Sequence, residues 1–407
     1  MNKLFLSLLM FISYSPIAQN IWEPINFPDT LRTKAINAEK ENTLFVAVGG
    51  NNDFTGLFRS FNDGGSWEQL YVDSIYYINI FSIKYSNDGV LFVSSGSGIF
   101  RSFDDGDTFE KSHNITRNIL NICVSPSNEI YAIGWGIILR SSNNGNAWDT
   151  LSIQGGNIYF TDLDFGLNGE IYVVGGSYDG PNTGSGFHRS LDHGLTWESI
   201  GITDIHLHTI EVNDVGIIIV GSEENAAVFS SSDNGENFSI ISDLLITAMA
   251  SDSQDNLIAG VNGYDYNGCR FSEDWGYNWS ILNDSILNPY INQISISPDN
   301  TVYLQCKKLT SQPYQLYKSI NPLVNVNNKI SHSEIRIYPN PSNDKIKINN
   351  IPTGKKINYN IYNLKGQRVL AGVCPNNEIN ISNLIPAIYI IELEMDNKII
   401  REKIIKE

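Results

Sequence analysis

The stretch RSFNDGGSW, Arg59 to Trp67, recurs with changes as RSFDDGDTF, RSSNNGNAW, RSLDHGLTW, SSSDNGENF and FSEDWGYNW. The serines Ser60, Ser102, Ser141, Ser190, Ser231 and Ser272 mark the copies at steps of about forty residues, and a decayed copy, LYKSINP, follows around Ser319. A fixed period of this size restricts the chain to a solenoid or a propeller, in which each repeat is one supersecondary unit.

The text between copies selects between the two. Each copy is preceded by short runs rich in Ile, Val, Tyr and Phe, as in FSIKYSNDGVLFVSSGSGIFRS and LNICVSPSNEIYAIGWGIILRS. Each is followed by a last short run such as WEQL or WESI. Four short strands per repeat, with turn residues between them and no helical period, predict an all-β propeller. First strands expected near Ala35, Ile80, Leu120, Phe160, Thr209, Thr247 and Gln293 make it seven-bladed, over residues 20–320. The seventh repeat lacks a fourth strand of its own. NIWEPI, Asn20 to Ile25, reads like SWEQL, so the N-terminus is expected to supply that strand, with Trp22 in the aromatic place, and to close the ring.

The copies resemble the Asp-box, S-x-D-x-G-x-T-W, of BNR/sortilin-type propellers, and physical chemistry gives the same turn. Asn62, Asp104, Asn143, Asp192, Asp233 and Asp274 can accept backbone N–H bonds inside their own turn. Gly64, Gly106, Gly145, Gly194, Gly235 and Gly276 tolerate positive φ. Trp67, Phe109, Trp148, Trp197, Phe238 and Trp279 open the outer strand and are expected to pack beside the next blade. One such turn per blade cannot converge on a substrate, and two of the six acceptors are Asn, which does no acid–base work. The copies are therefore read as scaffold.

From Asn321 to Ser333 the text becomes a polar linker, NPLVNVNNKISHS. Residues 334–407 then read as short alternating strands, a small β-sandwich. Their order of Tyr338-Pro339-Asn340-Pro341, Tyr362-Asn363-Leu364-Lys365-Gly366, Leu384 to Tyr389 and Lys403-Ile404-Ile405 resembles the C-terminal sorting domain of type IX secretion, found in Bacteroidota. That resemblance implies the secretion machinery as a partner, and a surface or extracellular destination. Ala387 departs from the usual Gly of that pattern.

Residues 1–19, MNKLFLSLLMFISYSPIAQ, carry one lysine and a short apolar run, the pattern of a secretory signal peptide too short to span a bilayer. No later segment reads as transmembrane. From residue 333 onward there are 11 Lys+Arg and 8 Asp+Glu, a net +3, so a whole-chain formal charge of −17 leaves −20 on the residues before it. A body this acidic excludes nucleic acid and anionic membranes as natural partners. The four cysteines show no metal-binding spacing; Cys269 and Cys306 are read either as a bridge or as free thiols. His206 and His208 share a strand face without a third ligand, so no metal and no cofactor is expected.

The most varied text falls between second and third strands: GGNNDFTG with Asp53 and Phe54, GGSYDGPNTGSG with Tyr178 and Asp179, VNGYDYNG with Tyr264, Asp265 and Tyr266, and CKKLTSQPY with Tyr314. Tyr beside Asp suits a sugar ring or a peptide, so these are the expected binding residues for a glycan or protein ligand. Three readings stand. The first is an exported binding module. The second is a glycoside hydrolase, sialidase-like or other, using Asp53, Asp179 or Asp265. The third is an assembly factor similar to those serving photosystem II. Against a sialidase, only Arg32 and Arg117 lie outside the repeat positions of the body, one short of an arginine triad.

Overall fold

The structure is a computed structural model. It describes residues 21–28, 33–49, 56–70, 79–115, 117–151, 158–177, 186–203, 205–222, 227–262, 268–282, 290–307 and 315–320 of the repeat region, and 337–338, 342, 344–348, 357–363, 367–374, 378–395 and 398–406 of the tail. Among the described residues all regular structure is β-strand.

Among the described residues the repeat region forms seven four-stranded sheets. In the first, Thr33–Lys40, Thr43–Val48, Gly56–Ser60 and Glu68–Leu70 lie side by side in chain order, antiparallel throughout. Five more sheets repeat this order, opening with Ile80–Tyr85, Ile119–Val124, Ile158–Phe165, Leu207–Val212 and Ile246–Ser251. The last sheet is made from both ends of the region. Tyr290–Ile296, Val302–Lys307 and Gln315–Ser319 follow one another, and Trp22–Pro24 pairs outside Gln315–Ser319 with Trp22 opposite Ser319.

Second strands are almost wholly buried, LFVSS at 91–95 and IYAIG at 130–134 for example, because both faces of each sheet are covered by neighbouring sheets. Each first strand packs against the first strand of the next sheet, and Tyr290–Ile296 packs against Thr33–Lys40, so the succession returns to its start. Antiparallel alternation sorts the connections into two groups. First-to-second turns and the recurring nine-residue turns leave from one end, the box face. Second-to-third turns and sheet-to-sheet connections leave from the other, the loop face.

The tail forms a three-stranded sheet of Ile337–Tyr338, Lys345–Ile348 and Glu378–Asn380, and a four-stranded one ordered Arg368–Val373, Asn358–Asn363, Ala387–Met395 and Lys398–Lys406. Ile346 and Ile348 from the first, Ile361, Ile391 and Leu393 from the second, share one apolar core.

Candidate functional site

The recurring turns consume their own polar groups. In all six, the serine hydroxyl donates to Oδ1 of the Asn or Asp two residues on, at 2.7–3.0 Å. The same hydroxyl accepts from the glycine N–H at 2.7–3.0 Å. Oδ1 also accepts the N–H four residues on, at 2.8–2.9 Å. Asn62 and Asn143 do this as well as the aspartates, since the role needs an acceptor and no charge. The Thr196 hydroxyl and amide hold the Asp192 carboxyl down at about 2, which suits an acceptor and not an acid catalyst.

Two consecutive left-handed residues shape each turn: the residue before the glycine at φ between 52° and 59°, then the glycine at 76° to 92°. The glycine lies against the preceding sheet. A Cβ on Gly145 would meet Ser112 Oγ at 2.4 Å, and one on Gly235 would meet Phe187 at 2.4 Å. The aromatic side chains follow it: Trp148 packs edge-on to Phe92 and donates to Ser112 Oγ, and Phe238 packs on Phe187. The aromatics thus pack against the preceding sheet, contrary to the sequence expectation of the next one, because the tight glycine contact aims the outgoing strand backwards.

Arginines one residue before the serine act in the opposite direction. Arg59 Nη1 donates to the Asp105 carbonyl at 2.7 Å and Arg189 Nη1 to the Asn234 carbonyl at 2.7 Å, each in the following sheet. Arg101 makes the same bond to Asn144. Arg140 instead pairs with Glu129 of its own sheet.

The first strands surround a central cavity of about 570 Å3. Each carries a register irregularity close to its start, between Phe160 and Asp162 and between Leu207 and Thr209 for example, which turns polar side chains toward the axis. Neighbouring first strands are not paired with each other. Their free N–H groups are met by side chains of the adjoining strand. Asp162 accepts from Asn121 Nδ2 at 3.1 Å, and from Thr209 Oγ1 and the Ile210 N–H at 3.0 Å. Asp164 accepts the Val212 N–H at 2.7 Å, Glu211 accepts from Ser251 Oγ at 2.7 Å, and Ser295 Oγ accepts the Ala38 N–H at 2.8 Å. The lining holds Glu39, Asp162, Asp164 and Glu211 against one lysine, Lys84, which pairs with Glu39.

Burial raises the Asp162 carboxyl. Burial, with the Asp162 charge adding, raises Asp164 to about 7; burial and the Asp164 charge raise Glu211 to about 8. Burial pulls the Lys84 ammonium down, and the Glu39 carboxylate overcomes it, so Lys84 stays a cation. Sequence reading passed over these residues. Their signal was polar alternation in TDLDF and TIEV, Thr161–Phe165 and Thr209–Val212.

On the loop face, Trp135 and Gly136 form the two-residue connection between the second and third strands of the third sheet, with Gly134 opposite Ile137. Trp135 forms an isolated bridge with Tyr159, and the Gly136 N–H donates to the Ile158 carbonyl at 2.8 Å. Arg117 Nη1 donates to the Gly136 carbonyl at 2.9 Å. Tyr159 meets His206 edge-on with centroids 5.9 Å apart, and His206 Nε2 lies 3.1 Å from the Ser177 carbonyl. His208 lines the cavity instead, and no metal-holding group of three or more His, Cys, Asp or Glu occurs among the described residues. Cys123, Cys269 and Cys306 are buried free thiols. Asp53, Phe54, Tyr178, Asp179, Tyr264, Asp265, Tyr266 and Tyr314 lie outside the described residues, as do residues 1–19 and the linker.

Four-stranded sheets arranged around a polar cavity define a β-propeller. Residues 7–142 match the family described as photosynthesis system II assembly factor YCF48, and residues 336–407 match the secretion system C-terminal sorting domain. The chain joins a YCF48-like propeller to a type IX secretion sorting domain, and so is exported to the cell surface or the extracellular space.

Solved structures agree on the fold. YCF48 bound to D1 peptide superposes with a TM-score of 0.58 at 17% identity, covering 75% of this chain and 98% of that one. YCF48 from Cyanidioschyzon merolae gives 0.56 at 14%, covering 74% and 98%. PorZ, a surface component of the type IX secretion system of Porphyromonas gingivalis, gives 0.52 at 14%, covering 95% of this chain and 61% of that one. No curated protein matches the chain in sequence.

Proposed function

We propose that residues 20–320 form a closed seven-bladed propeller that works, after export, as a binding module for a protein ligand taken on the loop face. In this reading residues 1–19 are the signal peptide, 321–333 a linker and 334–407 a removable β-sandwich address. One observation carries it: the six nine-residue turns spend their serine, Asn or Asp and glycine polar groups internally, which leaves those turns few hydrogen-bonding groups for a ligand. Second-to-third connections leave from the loop face, and in this reading they carry the varied sequence with Asp53, Phe54, Tyr178, Asp179, Tyr264, Asp265 and Tyr266. That a propeller of this shape, YCF48, is solved with a peptide bound supports a polypeptide over a glycan.

The test places a maleimide-linked polyethylene glycol at Ser97→Cys on the loop face or at Leu195→Cys on the box face, with Cys374 replaced by serine in both. Capture of peptides from a displayed random library should fail with the first and persist with the second. Capture blocked only from Leu195 would overturn the reading.

A second reading, a glycoside hydrolase using Asp164 and Glu211 in place of Asp53, Asp179 or Asp265, is favoured by their raised carboxyls, which fall in the range of a general acid. Hydrolysis of 4-nitrophenyl glycosides by the full chain, lost in Glu211→Gln, would support it; no turnover removes it.

A further inference from the structure

Among the described residues of the repeat region, the exposed large apolar side chains fall on the box-face turns and outer strands, with one exception. Trp135, 45% exposed, stands on the loop face. A single exposed apolar side chain is ordinary; what sets Trp135 apart is that it stands beside the exposed guanidinium of Arg117.

Its mounting is rigid. The connection has two residues only, and its glycine takes φ of 62°. The Trp135 N–H donates to the Asn118 carbonyl at 3.2 Å and the Gly136 N–H to the Ile158 carbonyl of the next sheet at 2.8 Å. Arg117, itself exposed, is pinned through Nη1 to the Gly136 carbonyl, and also lies 3.5 Å from the Trp135 carbonyl. Among the described residues no carboxylate pairs with Arg117. Tyr159 and His206 extend the surface over the fourth and fifth sheets.

Resting on the protein-ligand reading above, we propose that Trp135 and Arg117 are its anchoring pair, and that the partner presents an Asp or Glu carboxylate next to an aromatic or proline side chain. The ring stacks on the indole and the carboxylate pairs with the guanidinium. Trp and Arg in a preorganised setting are the residue types that dominate protein interfaces. Charge favours the site: the body is acidic, so an acidic partner is drawn to an exposed cation, and Arg117 supplies one on the loop face next to the indole.

The test pans a phage-displayed random twelve-residue library on the immobilised full chain, with the Trp135→Ala and Arg117→Ala chains as counter-selections. Enriched sequences should carry Asp or Glu within two residues of Trp, Tyr, Phe or Pro. The synthetic consensus peptide should lose at least tenfold in affinity on each alanine variant and recover most of it on Trp135→Phe. Arg117→Lys should recover part, since a lysine cannot pair two-pronged. Thermal melts matching the parent chain show that the variants fold. A peptide blocked from Ser97 but bound equally by both alanine variants overturns this pair alone and leaves the loop-face reading standing. Oligosaccharide binding lost in Trp135→Ala, with no peptide enriched, also overturns it.

Discussion

Arg189 and Asn234 belong to different sheets, yet Arg189 Nη1 donates to the Asn234 main-chain carbonyl at 2.7 Å while Nη2 reaches Glu236 at 2.8 Å. Asn234 can present that carbonyl because it sits at φ of 58°, just before Gly235. One buried guanidinium thereby ties the end of one sheet to the turn of the next. Replacing Arg189 by Ala should cost about 2 kcal/mol, the range for a lost hydrogen bond to a charged group. Denaturant unfolding checks it. Arg189→Lys should recover little, because an ammonium cannot serve both acceptors.

The glycines of these turns separate two causes of strain. Gly145 and Gly89 share nearly the same φ, 76° and 78°, but a Cβ on Gly145 would strike Ser112 and Phe92, whereas one on Gly89 meets nothing within 4 Å. Gly89→Ala should therefore cost only the backbone term, about 1 kcal/mol. Gly145→Ala should cost roughly 2 kcal/mol more through overpacking. Equal losses by chemical denaturation would show that the close contact contributes nothing.

The cavity makes stability depend on pH in an unusual direction. Asp164 and Glu211 are raised to about 7 and about 8 in the folded chain, above the ordinary carboxyl value of about 4 in the unfolded one. Between pH 4 and 8 the folded state holds more protons, so stability from these groups is fully present at the acid end and falls as pH rises through 7 and 8. The melting temperature should decline from pH 5.5 to 8.5, and Glu211→Gln should flatten that decline. A melt that rises over this window in the parent chain contradicts the assignment.

How much of this could be read beforehand depends on how local the cause is. The nine-residue turns were legible because every bond in them spans at most four residues, as from Ser60 to Gly64. The pairing of Trp22–Pro24 with Gln315–Ser319 was legible because Trp22 repeats the aromatic of a repeated unit. The cavity was not. Asp162 meets Ile210, 48 residues away, and only after a bulge at Phe160 has shifted the register that decides which face looks inward. Trp135 was hidden for a related reason: a two-residue turn carries no length or composition signal of its own, and only tertiary packing leaves its side chain 45% exposed.

The pairing between the two ends of the repeat region rests on a three-residue strand, Trp22–Pro24. Trp22 is buried at 2% exposure and donates to the Leu282 carbonyl, and Ile25 packs where a Cβ on Gly64 would stand, at 2.5 Å. Trp22→Ala should destabilise the repeat region by about 3–5 kcal/mol, as for other buried aromatics. Deleting residues 20–27 should lower the melting temperature sharply, and an unchanged melt would show that the N-terminal strand does not hold the ring.

The most direct measurement of where function lies is hydroxyl-radical footprinting of the full chain with and without the strongest enriched peptide. Phe61 and Phe103 are exposed on the box face and Trp135 on the loop face, so all three report in one experiment. The account predicts that the peptide protects Trp135 and leaves Phe61 and Phe103 as reactive as before; protection of Phe61 or Phe103 with Trp135 unchanged would contradict it.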